Sequence, residues 1–103
     1  MTAKVKSAYE ALNYANADEM LIKARLVTEI SDQLNRRQLT QTEASALLGF
    51  SQPKLSNLLR GQFRGVSEKK LMQCLTKLGR DIEIVVRPVP RSRREGKITV
   101  AVS

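Results

Sequence analysis

Apolar side chains recur along the first part of the chain at the spacing of an amphipathic helix. The stripe consists of Ile22, Leu26, Val27, Ile30 and Leu34. Because residues four apart lie on one face of an α-helix, it predicts a helix over roughly residues 17–37. Asn16, with Glu19 three residues later, has the pattern of an N-cap and its capping box. Residues 1–15 are patterned more weakly, and we predict a flexible tail or a frayed helix there.

Capping residues divide residues 40–79 into three shorter predicted helices. The N-caps are Thr40, Ser51 and Ser67, and the glycines that end the helices are Gly49, Gly61 and Gly79. Glu43 completes a capping box with Thr40. Pro53 falls in the first turn of its helix, where its missing N–H costs nothing. Cys74 lies beside an apolar stripe, which predicts a small, half-buried residue rather than a reactive thiol.

After Gly79 the apolar period changes from that of a helix to that of a strand. Ile82, Ile84 and Val86 alternate with the residues between them, and residues 98–102 alternate in the same way. Both segments are predicted strands, separated by a basic, proline-containing connector. The chain therefore divides into a tail (1–15), a helical domain (16–80) and a β-strand segment (81–103).

Composition limits the chemistry of this chain. Its 103 residues, 42% of them hydrophobic, are enough for one folded domain. With no histidine and one cysteine, the sequence excludes Cys/His zinc sites, histidine acid–base catalysis and an internal disulfide. We expect no metal, no cofactor and no enzymatic activity. No segment is apolar enough to cross a membrane and the first residues lack a secretory pattern, so we expect a cytoplasmic protein.

The charge is strongly basic and unevenly distributed. The formal net charge is +8, with a net +3 over residues 60–70 and a net +4 over residues 87–103. A small chain with this excess of lysine and arginine favours an anionic partner, most often nucleic acid. Solvated charge that serves only solubility is the alternative explanation.

Two short helices joined by a tight glycine turn, from Gln41 to Gly61, have the pattern of a helix-turn-helix. Ser45 is small where the two helices would cross, and Gly49 stands at the turn. The polar face of the second helix consists of Gln52, Lys54, Ser56, Asn57 and Arg60. Glutamine and asparagine bond adenine bidentately in the major groove, and lysine reaches guanine or phosphate.

The stretch TQTEASALLGFSQPKLSNLLRG resembles the helix-turn-helix of the Xre/Cro/phage-repressor family. The resemblance covers roughly residues 17–80 and implies a mainly α, phage-repressor-like helix-turn-helix bundle, here with a short C-terminal β extension. With the L-G-R-D-I-E-I-V-V-R-P segment behind it, the chain looks like the small Xre-type regulators that include HigA-like antitoxins. Members of that family bind DNA as dimers, often repress their own operon, and many neutralise a ribonuclease toxin.

The resemblance also implies roles for residues in this register. In the family a glutamine opens each of the two helices, so Gln41 is expected to contact phosphate and Gln52 to read a base. Pro53 stands where relatives often have a second polar reader. The predicted base-reading residues are Gln52, Lys54, Ser56 and Asn57. The predicted phosphate contacts are Gln41, Ser51, Arg60, Gln62 and Arg64.

The strand segment suggests how two copies would meet. An isolated two-stranded hairpin is only marginally stable in water. We therefore predict a homodimer, with Ile82, Ile84 and Val86 pairing with their counterparts in a second chain. A hairpin within one chain is the alternative. The connector Arg87–Lys97 is either a phosphate-tracking arm or a solvated loop, and the sequence favours neither.

The sequence is consistent with two functions. The first is a dimeric autorepressor that reads operator DNA with residues 52–60, in which case it could also be the antitoxin of a toxin–antitoxin pair. The alternative is a protein-interaction module whose main task is to bind and neutralise a toxin. In that case, side chains of the N-terminal tail would dock on the toxin by folding on binding. RNA binding is disfavoured, because the predicted reading helix has no aromatic residue for bases to stack on.

Overall fold

The computed structural model describes the backbone of residues 3–103 and the side chains from Asp18 onward, and within them the chain is mainly α. Its helices are α1 (Ala3–Arg36), α2 (Gln41–Leu48), α3 (Gln52–Leu59) and α4 (Glu68–Lys77). The most extensive packing is between α1 and α4, which form the base of the domain. Helices α2 and α3 pack on each other and against that base, α2 on α4 and α3 on α1. This is the helical bundle that the sequence predicts.

The predicted apolar stripes form one core. Its fully or nearly buried aliphatic side chains are Leu26, Val27, Ile30, Leu34, Leu48, Leu55, Leu58, Leu71, Leu75 and Leu78. Ile22, at the start of the first stripe, is only half-buried. Phe63 and Val66, from the loop between α3 and α4, complete the core and anchor that loop to the helices. Cys74 is also fully buried, and burial raises the pKa of its thiol.

The predicted start of the first helix is wrong. Helix α1 begins at Ala3 and not at Asn16, and it runs for 34 residues to Arg36. Asparagine in a helix interior costs at most about 0.7 kcal/mol relative to alanine, and no glycine or proline interrupts residues 3–36. The flexibility expected of residues 1–15 stays a prediction, and their side chains lie outside the described residues. No helix in the described part of the chain combines the length and hydrophobicity needed to cross a membrane.

The predicted caps of the three shorter helices are confirmed. Thr40, Ser51 and Ser67 each accept a backbone N–H three residues later. At Thr40 the capping box is complete, since Glu43 N donates to Thr40 Oγ1 at 3.2 Å and Thr40 N donates to Glu43 Oε1 at 3.1 Å. Glu43 Oε1 accepts both this backbone bond and a second bond from Thr40 Oγ1, at 2.9 Å. The two bonds stabilise the carboxylate form and hold the pKa of Glu43 below its ordinary value of 4.5.

We expect Thr40→Ala to lower the free energy of unfolding by about 1 kcal/mol at neutral pH, because the cap of α2 is lost. A pKa that is lowered in the folded state stabilises the protein above the ordinary pKa, and this contribution is lost as pH falls through the folded-state pKa. The cost of the substitution should therefore be smaller at an acid pH below the folded-state pKa of Glu43 than at neutral pH. Urea unfolding of both proteins at the two pH values measures it. Thr42→Ala, an exposed threonine in the same turn, is the control.

The ends of α1 and α4 are tied together by an arginine. Arg37 Nη2 donates to the carbonyl oxygen of Leu78 at 2.6 Å. Gly79 follows with a φ of +79°, and a Cβ at this position would lie 2.7 Å from Arg37 Nη2. The left-handed backbone favours glycine here, and a side chain would also oblige the flexible guanidinium of Arg37 to move.

The predicted β extension is wrong for the isolated chain: no strand forms in residues 81–103. A strand needs a neighbour for its N–H and C=O groups, and residues 82–87 and 98–102 do not pair with each other. Instead, the end of the chain lies against α1, where Arg25 Nη1 donates to the carbonyl oxygen of Val100 at 3.4 Å. Arg80 Nη2 similarly donates to Ser103 O at 3.2 Å.

Candidate nucleic-acid interface

The turn between α2 and α3 is fixed by backbone bonds to one buried serine. Gly49 N and Phe50 N both donate to the carbonyl oxygen of Ser45, at 2.9 and 3.1 Å. Gly49 has a φ of +76°, the left-handed conformation that glycine adopts at least cost. Ser45 is buried where the helices approach, and its hydroxyl donates to Thr42 O at 2.9 Å. The small residue and the glycine thus occupy the positions that the sequence predicts for them.

The two predicted glutamines occupy equivalent positions. Gln41 is the first residue of α2 and Gln52 is the first residue of α3, and both side chains are exposed. The first N–H groups of a helix have no partner within the helix, and the helix dipole is positive at this end. Each glutamine therefore stands at a helix end that favours a nearby phosphate.

Helix α3 has one buried and one accessible face. Leu55 and Leu58 are fully buried, whereas Gln52 and Lys54 are exposed. Ser56 and Asn57 are half-buried. Asn57 Oδ1 accepts a hydrogen bond from the guanidinium of Arg60, so its amide nitrogen is the group left for another partner. The four predicted base readers thus lie on one helix, with the two most accessible in its first turn.

Ser51, a predicted phosphate contact, has a structural task as well. Its Oγ accepts the backbone N–H of Lys54 at 3.3 Å and so caps α3. The hydroxyl hydrogen stays available as a donor, since the bond to Lys54 uses only an oxygen lone pair. The cap and a phosphate contact are therefore compatible at this residue.

Two shallow grooves border the accessible face of α3, and Lys54 lies between them. One, of about 350 Å³, is lined by Lys54, Asn57, Gln62, Gly65 and Val66. The other, of about 400 Å³, lies between the first turns of α3 and α4 and contains both Lys54 and Lys70. The first groove brings the loop after α3 beside the predicted base-reading residues.

Lys70 also contributes to this surface, although no motif in the sequence identifies it. Its Nζ donates to the carbonyl oxygen of Leu48 at 3.2 Å and lies 5.0 Å from the centroid of the Phe50 ring. It therefore braces the turn between α2 and α3 and places a second positive charge beside Lys54. The serine cap at Ser67 fixes the start of α4 and hence the turn in which Lys70 lies. The contacts of Lys70 with Leu48 and Phe50 depend on tertiary packing, so the sequence does not predict them.

The loop after α3 presents the remaining predicted phosphate contacts. Arg60, Gln62 and Arg64 are all exposed. Gln62 N donates to the carbonyl oxygen of Asn57 at 2.9 Å, which holds the loop against the end of α3. Phosphate contacts in this loop stay predictions. The predicted dimerisation residues Ile82, Ile84 and Val86 lie elsewhere, on the exposed C-terminal segment.

Comparisons with known proteins agree with this geometry. A family model described as a helix-turn-helix domain matches residues 8–87. A solved structure named "Putative XRE Family Transcriptional Regulator" is 39% identical, with a TM-score of 0.79, and the match covers 85% of this chain and 99% of that one. No curated protein matches the sequence. The family match spans most of the chain, and it includes α2, α3 and their turn. The chain belongs to the helix-turn-helix domain family, of the XRE type.

Proposed function

We propose that this protein is a cytoplasmic transcriptional regulator that binds a specific double-stranded DNA sequence by placing α3 in the major groove. The observation that supports this most is the accessible face of α3, where Gln52 and Lys54 extend from the first turn of a helix in the helix-turn-helix arrangement. Gln52, Lys54, Ser56 and Asn57 are the proposed base readers. Gln41, Ser51, Arg60, Gln62 and Arg64 are the proposed phosphate contacts.

The charge of the chain supports the same function. Its formal net charge is +8, and Lys54 and Lys70 stand together beside α3. Lysine and arginine that neutralise phosphates release condensed cations, so affinity falls as salt rises. The grooves beside α3 are shallow and basic, as a surface for a phosphate backbone is expected to be.

We infer that the regulator binds as a homodimer. In the single chain Ile84 and Val86 are 78% and 91% exposed, which leaves large apolar side chains in water. Unpaired N–H and C=O groups of such a segment are a template for another strand. A second copy would cover both the side chains and the backbone groups. A dimer would also read two half-sites, which is how a small helix-turn-helix gains selectivity.

The segment is complementary to itself in one register. In an antiparallel pair centred on Ile84, Ile82 of one copy faces Val86 of the other and Asp81 faces Arg87. Apolar pairs and opposite charges across strands each contribute roughly 0.2–1 kcal/mol, whereas like charges destabilise. No like charges face each other among these residues in this register.

We expect Ile84→Lys to turn the dimer into a monomer, because it places two like charges at the centre of the paired strands. Sedimentation equilibrium at tens of micromolar protein measures it. Ile98→Lys is the matched control, since Ile98 is also 78% exposed and lies in the same segment. A wild-type protein that sediments as a monomer, or equal dissociation by both substitutions, would contradict the proposed register.

The decisive experiment for the function is binding to the DNA upstream of the protein's own gene. Random DNA of the same length is the competitor, and the measurement is made at two salt concentrations. Selective, salt-sensitive binding is the expected result and would identify an autorepressor. Equal affinity for both DNAs would mean that only the basic charge is acting, and the proposal would fail.

Neutralising a toxin is the second candidate function. The exposed apolar residues of the C-terminal segment favour it, because a toxin would cover them in place of a second copy of this chain. The most exposed of those residues are Ile84, Val85, Val86, Ile98 and Val102. A gene for a small basic ribonuclease beside this one would support the antitoxin role. The two proteins should then copurify when coexpressed, and Ile84→Lys would report whether the toxin uses the same segment.

A further inference from the structure

A lysine is buried on the inner side of α1. Lys23 is only 4% exposed, and it lies four residues before Val27 and seven before Ile30, on the apolar face of the helix. Transferring an ammonium group from water into a protein is costly unless it gains partners. Lys23 has two: Glu19 Oε1 at 3.3 Å, one turn earlier, and the carbonyl oxygen of Arg64 at 2.9 Å.

The second partner lies in the loop that follows α3. Arg64 stands between Phe63 and Val66, whose buried side chains anchor the loop in the core. Val66 N donates to Phe63 O at 3.0 Å, which closes a turn around Arg64. The bond from Lys23 then fixes the carbonyl at the tip of that turn, while the guanidinium of Arg64 stays exposed.

This loop borders the accessible face of α3. Gln62 and Gly65, on either side of Arg64, line one groove together with Lys54 and Asn57. A displacement of the loop backbone would therefore move the side chains nearest to the proposed base readers. Glu19 pairs with Lys23, so the lysine adds little charge of its own to this surface.

We propose that Lys23 is a positioning residue for DNA binding, which holds the Arg60–Val66 loop so that Arg64 reaches a phosphate. The inference rests on the proposed DNA-binding function. Lys23 touches no DNA itself, since its ammonium group is buried and bonded to the loop. It acts through the backbone of Arg64, so removing the Lys23 ammonium group should weaken DNA binding in the same way as removing the contact between Arg64 and a phosphate.

Lys23→Met tests this, because methionine fills a similar volume but cannot donate a hydrogen bond. Against a duplex from upstream of the protein's own gene, we expect affinity to fall on the order of tenfold. The slope of log affinity against log salt should shrink by about 0.9, the value for one phosphate contact. Arg64→Ala should give the same slope, and the double variant should lose no more than either single one.

Arg37→Met is the matched control. It also removes one positive charge and one bond to a backbone carbonyl, at Leu78, but that bond ties α1 to the end of α4. It should lower stability and leave the salt slope close to that of the wild type. Lys23→Arg, which keeps a charged donor, should restore most of the slope.

The possible results distinguish failure of the proposed DNA-binding function from failure of the positioning role of Lys23. Wild-type protein that does not prefer its own upstream duplex overturns both the function and this inference before any variant is made. If the wild type binds selectively, two results overturn the inference alone. One is a Lys23→Met variant with the affinity and salt slope of the wild type, and the other is a double variant whose loss of affinity is the product of the two single losses. An equal loss in Arg37→Met would do the same, since charge alone would explain it. If thermal unfolding shows Lys23→Met to be unfolded at the binding temperature, Lys23→Gln, too short to reach Arg64, replaces it in each arm.

Discussion

Leu48→Ala should lower the free energy of unfolding by about 2–5 kcal/mol, as large a loss as any that we expect from a single substitution in this chain. Leu48 is the last residue of α2 and is fully buried. Removing its side chain loses the transfer free energy of the deleted methyl groups, and the rigid helices around it can fill the cavity only in part. Because small domains are stabilised by only about 5–15 kcal/mol, a large share of the folding free energy is at stake.

The neighbouring residue provides the matched control for this experiment. Leu47 is also a leucine in α2, but its side chain is 40% exposed. Both substitutions remove the same atoms and have similar effects on helix propensity, so the difference between them isolates burial. Urea unfolding followed by circular dichroism should place Leu47→Ala within about 1 kcal/mol of the wild type. Equal losses for both variants would contradict the packing of α2 described above.

The helix-turn-helix was predictable from sequence because its boundaries are local. Thr40 and Glu43 satisfy each other's N–H groups within four residues, and Gly49 adopts the left-handed conformation at the next boundary. No contact distant in sequence is needed for these signals. The polar and buried faces of α3 follow from the spacing of Leu55 and Leu58 once the start of the helix is fixed.

The features that the sequence did not reveal are of two kinds. Some depend on contacts between residues far apart in the sequence, and one depends on the absence of a glycine or proline that would end a helix. A helix can begin anywhere before an amphipathic stripe when no glycine or proline stops it, so Asn16 did not mark the start of α1. Alternation over residues 82–87 shows which side chains would share a face, but a strand exists only where a second strand lies beside it. The spacing of the apolar residues shows that Lys23 lies on the apolar face of α1. Its hydrogen-bond acceptor could not be predicted, because Arg64 is 41 residues away in the sequence.

Gln52→Ala should weaken binding to the operator by about 1–3 kcal/mol, which is roughly a 5- to 150-fold loss of affinity. Gln52 is exposed at the start of α3, so we expect the fold to be unaffected. The lost interaction is a pair of hydrogen bonds to one base, and the variant should tolerate other base pairs at that position. Competition binding against operators substituted at each base pair measures both effects.

The same experiment separates base reading from phosphate binding. Arg64→Ala should weaken binding to operator and random DNA alike, because a phosphate is present whatever the base. Gln52→Ala should leave binding to random DNA almost unchanged. Gln73→Ala, an exposed glutamine on α4, controls for the loss of an amide side chain elsewhere. An equal loss on operator and random DNA for Gln52→Ala would contradict its assignment as a base reader, and the selectivity would then have to come from Lys54, Ser56 or Asn57.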